Sequence, residues 1–301
     1  MTITRVSDAN TFNFVQQRTA KVQVDIRELQ EQIVSGRRLL RPEQDPLGAG
    51  QVVRHSASLA ALAQYDDGAA FGVQVLAAQD DSLGDANSLL VRAEELASQY
   101  SSGLYTPAQR AAAREEVHGL LQALTTVGNA ELGGRRLFSG LSQSGTPPFT
   151  DPDAPGYTAA TAYTGSQYQF EVKVGGDSAE RVRVSTPGDQ VFGDALVALE
   201  SLETALATNG DVAGTLSGLS TARDGLSSER ASVGGRQAQL QSRITQVRGL
   251  TEREATSRAE IREADFIVVA TQLAQATTAL QALLAAASQI KETSLTSLLQ
   301  F

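Results

Sequence analysis

Residues 266–290 read FIVVATQLAQATTALQALLAAASQI, a stretch without one charged side chain. Within it Phe266, Val269, Leu273, Ala276, Leu280, Leu283, Ala287 and Ile290 recur at alternating steps of three and four, which lines them along one face of an α-helix. The stretch is long enough to cross a bilayer. Gln272, Gln275, Gln281 and Gln289, however, would each carry an amide into hydrocarbon. The reading is therefore a helix that stays in water or becomes buried in protein. Near the other end, Phe12, Val15, Thr19, Val22, Ile26, Leu29 and Ile33 repeat the same spacing, up to a stop at Ser35-Gly36.

The pattern continues inward. After a loop read over Arg37–Gly50, the residues Leu62, Ala69, Leu76, Leu83, Leu90 and Ala97 recur every seven positions until Ser101-Ser102-Gly103 breaks them. Thr106-Pro107-Ala108-Gln109 has the form of a capping box with proline at the first helical position. That helix is expected to end at Gly133-Gly134. From about residue 141 to 191 proline and glycine become common, and Tyr168, Phe170, Val172 and Val174 alternate with Gln169, Glu171 and Lys173. This is the period of a half-buried strand. Gly175-Gly176-Asp177-Ser178 supplies a turn, and Arg181–Val184 returns as a second strand. Helix resumes at about Phe192, with Leu219, Leu226, Val233, Leu240 and Val247 again seven apart. The expected fold is mainly α, with long coiled-coil-like helices from paired N- and C-terminal halves and a small inserted β domain. Its parts would be terminal helices at 1–40 and 262–301, a helical bundle at 41–140 and 192–261, and the insert at 141–191.

Composition removes several functions. With no Cys, the chain of 301 residues has no disulfides, thiolate metal sites or cysteine nucleophile. A net charge of −9 opposes general binding to nucleic acid or anionic membrane. His55 and His118 show no triad pattern and read as helix-surface residues. Asp66-Asp67 and Asp80-Asp81 lack the ligand spacing of a calcium loop, and Gly48-Ala49-Gly50 has no phosphate-reaching lysine. The eight arginines from Arg223 to Arg262 are interleaved with acids such as Asp224, Glu229 and Glu252, the pattern of a salt-bridged helix surface. No catalytic residue, cofactor or metal site is expected.

Energetics favour assembly instead. A forty-residue terminal helix would be about 60 Å long, and ordering its backbone costs about 1–2 kcal/mol per residue. Two of the eight positions in the last stripe are alanine and bury little apolar surface, so these helices are expected to order fully only against partners.

Leu29-Gln30-Glu31-Gln32-Ile33-Val34-Ser35-Gly36-Arg37-Arg38-Leu39, followed by Pro42-Glu43-Gln44-Asp45-Pro46, resembles the N-terminal motif of flagellar axial proteins. It is most similar to the hook-associated protein 3 (FlgL) family of hook–filament junction proteins, relatives of bacterial flagellin. Glu263-Ala264-Asp265-Phe266, Leu273, Leu280-Gln281-Ala282-Leu283 and Ser294-Leu295 to Leu298-Leu299 resemble its C-terminal signature. Gly134-Arg135-Arg136-Leu137-Phe138-Ser139-Gly140 resembles the segment leading into its variable domain. One departure is Gln44, where many relatives carry a second acid before the Asp-Pro pair, which leaves Asp45 to carry the role of that carboxylate pair.

The resemblance implies a non-enzymatic adaptor, exported through the flagellar type III apparatus without a cleaved signal peptide. It would form a ring of copies between the first hook-associated protein and flagellin, and a cytoplasmic chaperone would bind its C-terminal region before export. Neither nucleic acid nor membrane is implied as a partner. Subunit assembly falls to Phe12, Val15, Val22, Ile26, Leu29 and Ile33, to the connector residues Ser35, Gly36, Arg37, Asp45 and Pro46, and to Asp265, Phe266, Leu273, Leu280, Gln281, Leu283, Ile290 and Leu298. Flagellin itself is the nearest rival. A membrane-active translocator built on 266–290 and an enzyme are the more distant ones.

Overall fold

The computed structural model describes the backbone of residues 2–102, 104–142, 146–176 and 180–299, with side chains from 13 to 289 within those ranges. Six helices carry the fold: α1 (Thr2–Ser35), α2 (Pro46–Tyr100), α3 (Pro107–Gly128), α4 (Gly188–Thr208), α5 (Thr215–Arg262) and α6 (Phe266–Leu299). Between α3 and α4 lie two antiparallel hairpins, β1 (Glu131–Leu132) with β2 (Arg135–Arg136) and β3 (Glu171–Lys173) with β4 (Arg181–Arg183), and a 3-10 turn at Ala159–Thr161. The chain forms two compact units, residues 1–60 with 251–301 and residues 61–250.

In the second unit the seven-residue repeats become the core. Leu76, Leu90, Ala69 and Ala97 of α2 are wholly inaccessible, and Leu219, Leu226, Val233, Leu240 and Val247 of α5 are buried. Asp66, Asp80 and Glu94 of α2 meet Arg248, Arg230 and Arg223 of α5 at 3.2, 2.8 and 2.8 Å. The partners advance in opposite directions, so the two helices run antiparallel. Three of the clustered arginines thus form a ladder of ion pairs to α2. The apolar residues of the insert, including Phe149, Val172, Val182 and Val184, join the same core as the helices.

Several boundaries differ from the sequence reading. Helix α2 starts at Pro46, inside the expected loop, because Asp45 caps it: its Oδ1 accepts from Gly48 N at 2.8 Å. Helix α3 starts at the expected capping box, Thr106 with Gln109, but ends at Gly128 and not at Gly133-Gly134. Those two glycines, with φ of 58° and 80°, instead make the two-residue turn between β1 and β2. Helix α4 begins at Gly188, and Asn209 in the left-handed region separates it from α5. The strand reading over Tyr168–Val174 shrinks to three residues, paired Glu171 to Arg183, Val172 to Val182 and Lys173 to Arg181. Of the turn read at 175–178, Asp177 and Ser178 lie outside the described residues.

Buried polar groups tie these elements together. The Gln79 side-chain amide donates to Leu137 O and Val184 O, both at 3.1 Å, joining α2 to the ends of both hairpins. The Arg110 guanidinium donates to Ala205 O and Leu206 O at the C-terminal end of α4, where a cation offsets the helix dipole. His118 is more than a lone surface residue. Its Nε2 lies 2.9 Å from Asp153 Oδ1 and its Nδ1 3.3 Å from Glu203 Oε1, while Gln122 donates to the other Asp153 oxygen at 2.7 Å. The hydrogen bond that the His118 ring donates to Asp153, with a smaller contribution from Glu203, raises the His118 pKa above the ordinary histidine value.

Candidate assembly surface

The first unit pairs α1 with α6, packed side by side. Val15 and Thr19 of α1 border a groove shared with Leu284 and Ala287 near the far end of α6. The other end of α1 is bridged to the residues before α6, so the pair is antiparallel. Most seam positions keep part of their surface. Val15 and Val269 are buried at 8% and 5% exposure. Val22, Ile26, Leu29 and Ile33 on α1, and Leu273, Ala276, Leu280, Leu283 and Ala287 on α6, are only half-buried. A two-helix pair has no third element to cover the outer flanks of such a stripe.

The start of α6 is barer still. Phe266, Ile267 and Val268 follow one another in sequence and remain 64%, 76% and 50% exposed. Over residues 266–289 helix α6 is long and apolar enough by length and composition to cross a membrane, and only 6% of its most apolar stretch is buried. Gln272, Gln275 and Gln281 are exposed along it. The side chains of Phe12, Ile290 and Leu298 lie outside the described residues.

The connector between α1 and α2 is closed by hydrogen bonds at each step. Ser35 Oγ donates to Glu31 O at 2.6 Å, and Gly36 turns into the left-handed region at φ 66°, ending α1. Arg38 N donates to Arg262 O at 2.8 Å and Ala264 N to Gly36 O at 3.0 Å, forming an antiparallel bridge at Arg37 and Glu263. Leu40 N and Arg41 N both donate to Gln44 Oε1 at 3.2 Å. A neutral amide oxygen suffices for that task, so this loop does not need an acid at position 44. Asp45 caps α2, with Pro46 at its first position. Asp265 caps α6, accepting from Ile267 N at 2.9 Å and Val268 N at 3.2 Å. The Glu254 carboxylate meets His55 Nδ1 at 2.6 Å, linking α5 to α2 within this unit.

Arg37 and Gln281, both read from the sequence as assembly residues, present exposed side chains. The residue that sequence reasoning missed is Arg38. Its guanidinium donates to Ile261 O at 2.8 and 3.2 Å, at the last turn of α5, and lies 3.7 Å from Asp45. The signal was the doubled arginine after Ser35-Gly36, in which only the first was singled out. Among the described residues no group of three or more His, Cys, Asp or Glu side chains could hold a metal ion.

Residues 6–143 match the bacterial flagellin N-terminal helical region, and residues 216–299 match the bacterial flagellin C-terminal helical region. The chain is 26% identical over 163 residues to flagellar hook-associated protein 3 of Escherichia coli strain K12, covering 54% of this chain and 48% of that protein. It thus spans about half the length of the curated relatives it matches. Among solved structures it is similar to a putative flagellar hook-associated protein from Vibrio parahaemolyticus, with a TM-score of 0.63 and 16% identity over 73% of this chain and 100% of that one. It is also similar to FlgL of Bacillus cereus, with a TM-score of 0.57 and 18% identity over 68% and 99%. Matched at both ends by flagellin helical regions that flank its own insert, the chain belongs to the flagellin-type family, with hook-associated protein 3 (FlgL) as its kin.

Proposed function

We propose that this chain is a structural, non-enzymatic subunit of the bacterial flagellum, acting as the junction between the hook and the flagellin filament. Copies would form a ring that meets the first hook-associated protein on one side and flagellin on the other. Export would run through the flagellar type III apparatus without a cleaved signal peptide, after a cytoplasmic chaperone has held the C-terminal region. Residues 1–40 and 262–301 are assigned to the inner assembly layer, 41–140 and 192–261 to the helical bundle, and 141–191 to an outward insert.

The observation that carries this reading is the α1–α6 pair. Two long helices expose half of a regular apolar stripe, and a hydrogen-bonded connector anchors them at one end. Such a stripe is buried when further helices pack on it, as in a polymer of copies. The test is electron microscopy of the purified protein added to flagellin filament seeds with a precipitant. A short cap on each seed is the expected result. Long self-grown filaments would make the chain a filament subunit, and uniformly bare seeds would remove the junction reading.

A further inference from the structure

Hairpin β3–β4 turns one face inward and the other to solvent. Val172 and Val182, paired across the strands, are buried. Val172 rests on Gly68 and Gly72 of α2, where a Cβ would stand 3.1 Å from Val172 Cγ1 and 3.0 Å from Val184 Cγ1, respectively. The outward side chains are Glu171, Lys173, Arg181 and Arg183, all exposed. Glu171 faces Arg183, a complementary pair, but Lys173 faces Arg181 directly. Like charges opposite one another on an antiparallel pair repel. Glu180, beside Arg181 in sequence, is engaged by Arg243 at 3.4 Å, and neither Lys173 nor Arg181 has an ion-pair partner among the described residues.

Positive charge is also held in place around this face. The Lys173 ammonium lies 5.5 Å from the Tyr65 ring, and the Arg135 guanidinium lies 4.2 Å from the ring of Phe170, next to β3. In a chain of net charge −9, this is a concentrated basic surface.

The opposite charge lies on the opposite side of the same unit. Asp81 and Asp85 are exposed on α2, four residues apart, which is again an unfavourable like-charge spacing. The cation beside Asp81 is Arg230, and Asp80 already holds it through two bonds of 2.8 and 3.1 Å. At about 100° per residue, the nine positions from Gly72 to Asp81 carry the chain about halfway round α2. The acidic pair therefore points away from the hairpin.

We propose that the outward face of β3–β4 docks on the Asp81–Asp85 face of α2 in a second copy of this chain. Charge complementarity selects the occupant, since each face carries a repulsion that the other relieves. Because the two faces differ and point opposite ways, the contact is head-to-tail. Each copy offers its hairpin to one neighbour and its α2 to the other, a heterologous geometry that closes rings or propagates helices. The proposal rests on the reading that copies assemble side by side, and it adds the contact residues.

Zero-length crosslinking separates the two ideas. The chain has three lysines, Lys21, Lys173 and Lys291, so a carbodiimide that joins amine to carboxylate gives few products from the second unit. An equal mixture of light and nitrogen-15-labelled chains is crosslinked both on seeds and in concentrated solution with precipitant. Mixed-isotope peptides joining Lys173 to Asp81 or Asp85 are expected. In parallel, K173E/R181E and D81K/D85K should each lower the fraction of capped seeds at least tenfold with unchanged melting, and the four-residue swap should restore it.

Seeds capped by K173E/R181E as well as by wild type would overturn the proposal. So would Lys173 joined to other acids, or a swap that restores nothing, which would point to a different acidic partner. If wild-type seeds stay bare, the junction reading falls, while the crosslink in concentrated solution still decides the contact.

Discussion

Helices α2 and α6 are built on the same rule and end up in opposite states. Both carry a stripe of Leu and Ala at heptad spacing, yet Leu76 and Leu90 are wholly inaccessible while Leu273, Leu280 and Leu283 stay half-exposed. Spacing decides which face is apolar. The number of elements that reach that face decides how much water leaves it. In the second unit α5, α3, α4 and the insert share one core with α2, whereas the described residues of α6 pack on α1 in their own unit. Fully burying a leucine contributes about 1.5–3 kcal/mol, so each half-covered leucine of the terminal pair leaves a sizeable part of that unrealised until something else packs on it.

The contrast can be broken most directly in the core. Leu90→Ala should cost about 2–5 kcal/mol, through lost burial and a cavity that rigid neighbours cannot fill, and thermal denaturation would show a large drop in midpoint. A stability unchanged within error would mean that the second unit is loosely packed after all.

A smaller effect is expected in the first unit from Asp45→Ala. Losing the cap of α2 should cost about 1 kcal/mol, felt chiefly as faster hydrogen exchange over residues 46–60 with little change in 61–250.

His118 sharpens the comparison by pH. Its folded pKa lies above the unfolded value of about 6.5. The extra stability is therefore complete below that unfolded value and is lost as pH rises through the raised folded pKa. In urea titrations, wild type should exceed His118→Gln most at acid pH, and the gap should close under alkaline conditions. A gap that widens with pH would contradict the pairing with Asp153 and Glu203.

The smallest stability effect should come from Leu280→Asp. The seam there is only half-closed, so the main melting transition of the monomer should stay in place, while seed capping is lost. A monomer melted by this change would show that α6 is already integral before assembly.

Local chemistry accounts for what the sequence disclosed. The stripes of α1, α2, α5 and α6, the Thr106 capping box and the Ser35-Gly36 stop all depend on neighbours within about two turns, and each appears where its residues are. The start of α2 was misread because Gly48 and Gly50 look like loop residues, although Asp45-Pro46 is a cap followed by a first helical position. Gly133-Gly134 could equally have ended a helix or turned a hairpin, and the pairing of β1 with β2 decided it. The partners of Arg38, Gln79 and His118 lie far away in sequence, at Ile261, at Leu137 and Val184, and at Asp153 and Glu203. No spacing rule reaches that far.

The bridge between residues 36–38 and 262–264 also has a mechanical meaning. When two rods lying side by side are bent, they slide past one another, and the slip is greatest at their ends. Here one end of the α1–α6 pair is pinned by Arg38 N to Arg262 O and Ala264 N to Gly36 O, with the Arg38 guanidinium fastened to Ile261 O. Over helices about 50 Å long, such a pin turns two slender rods into a beam that is stiff at its root and compliant at its tip.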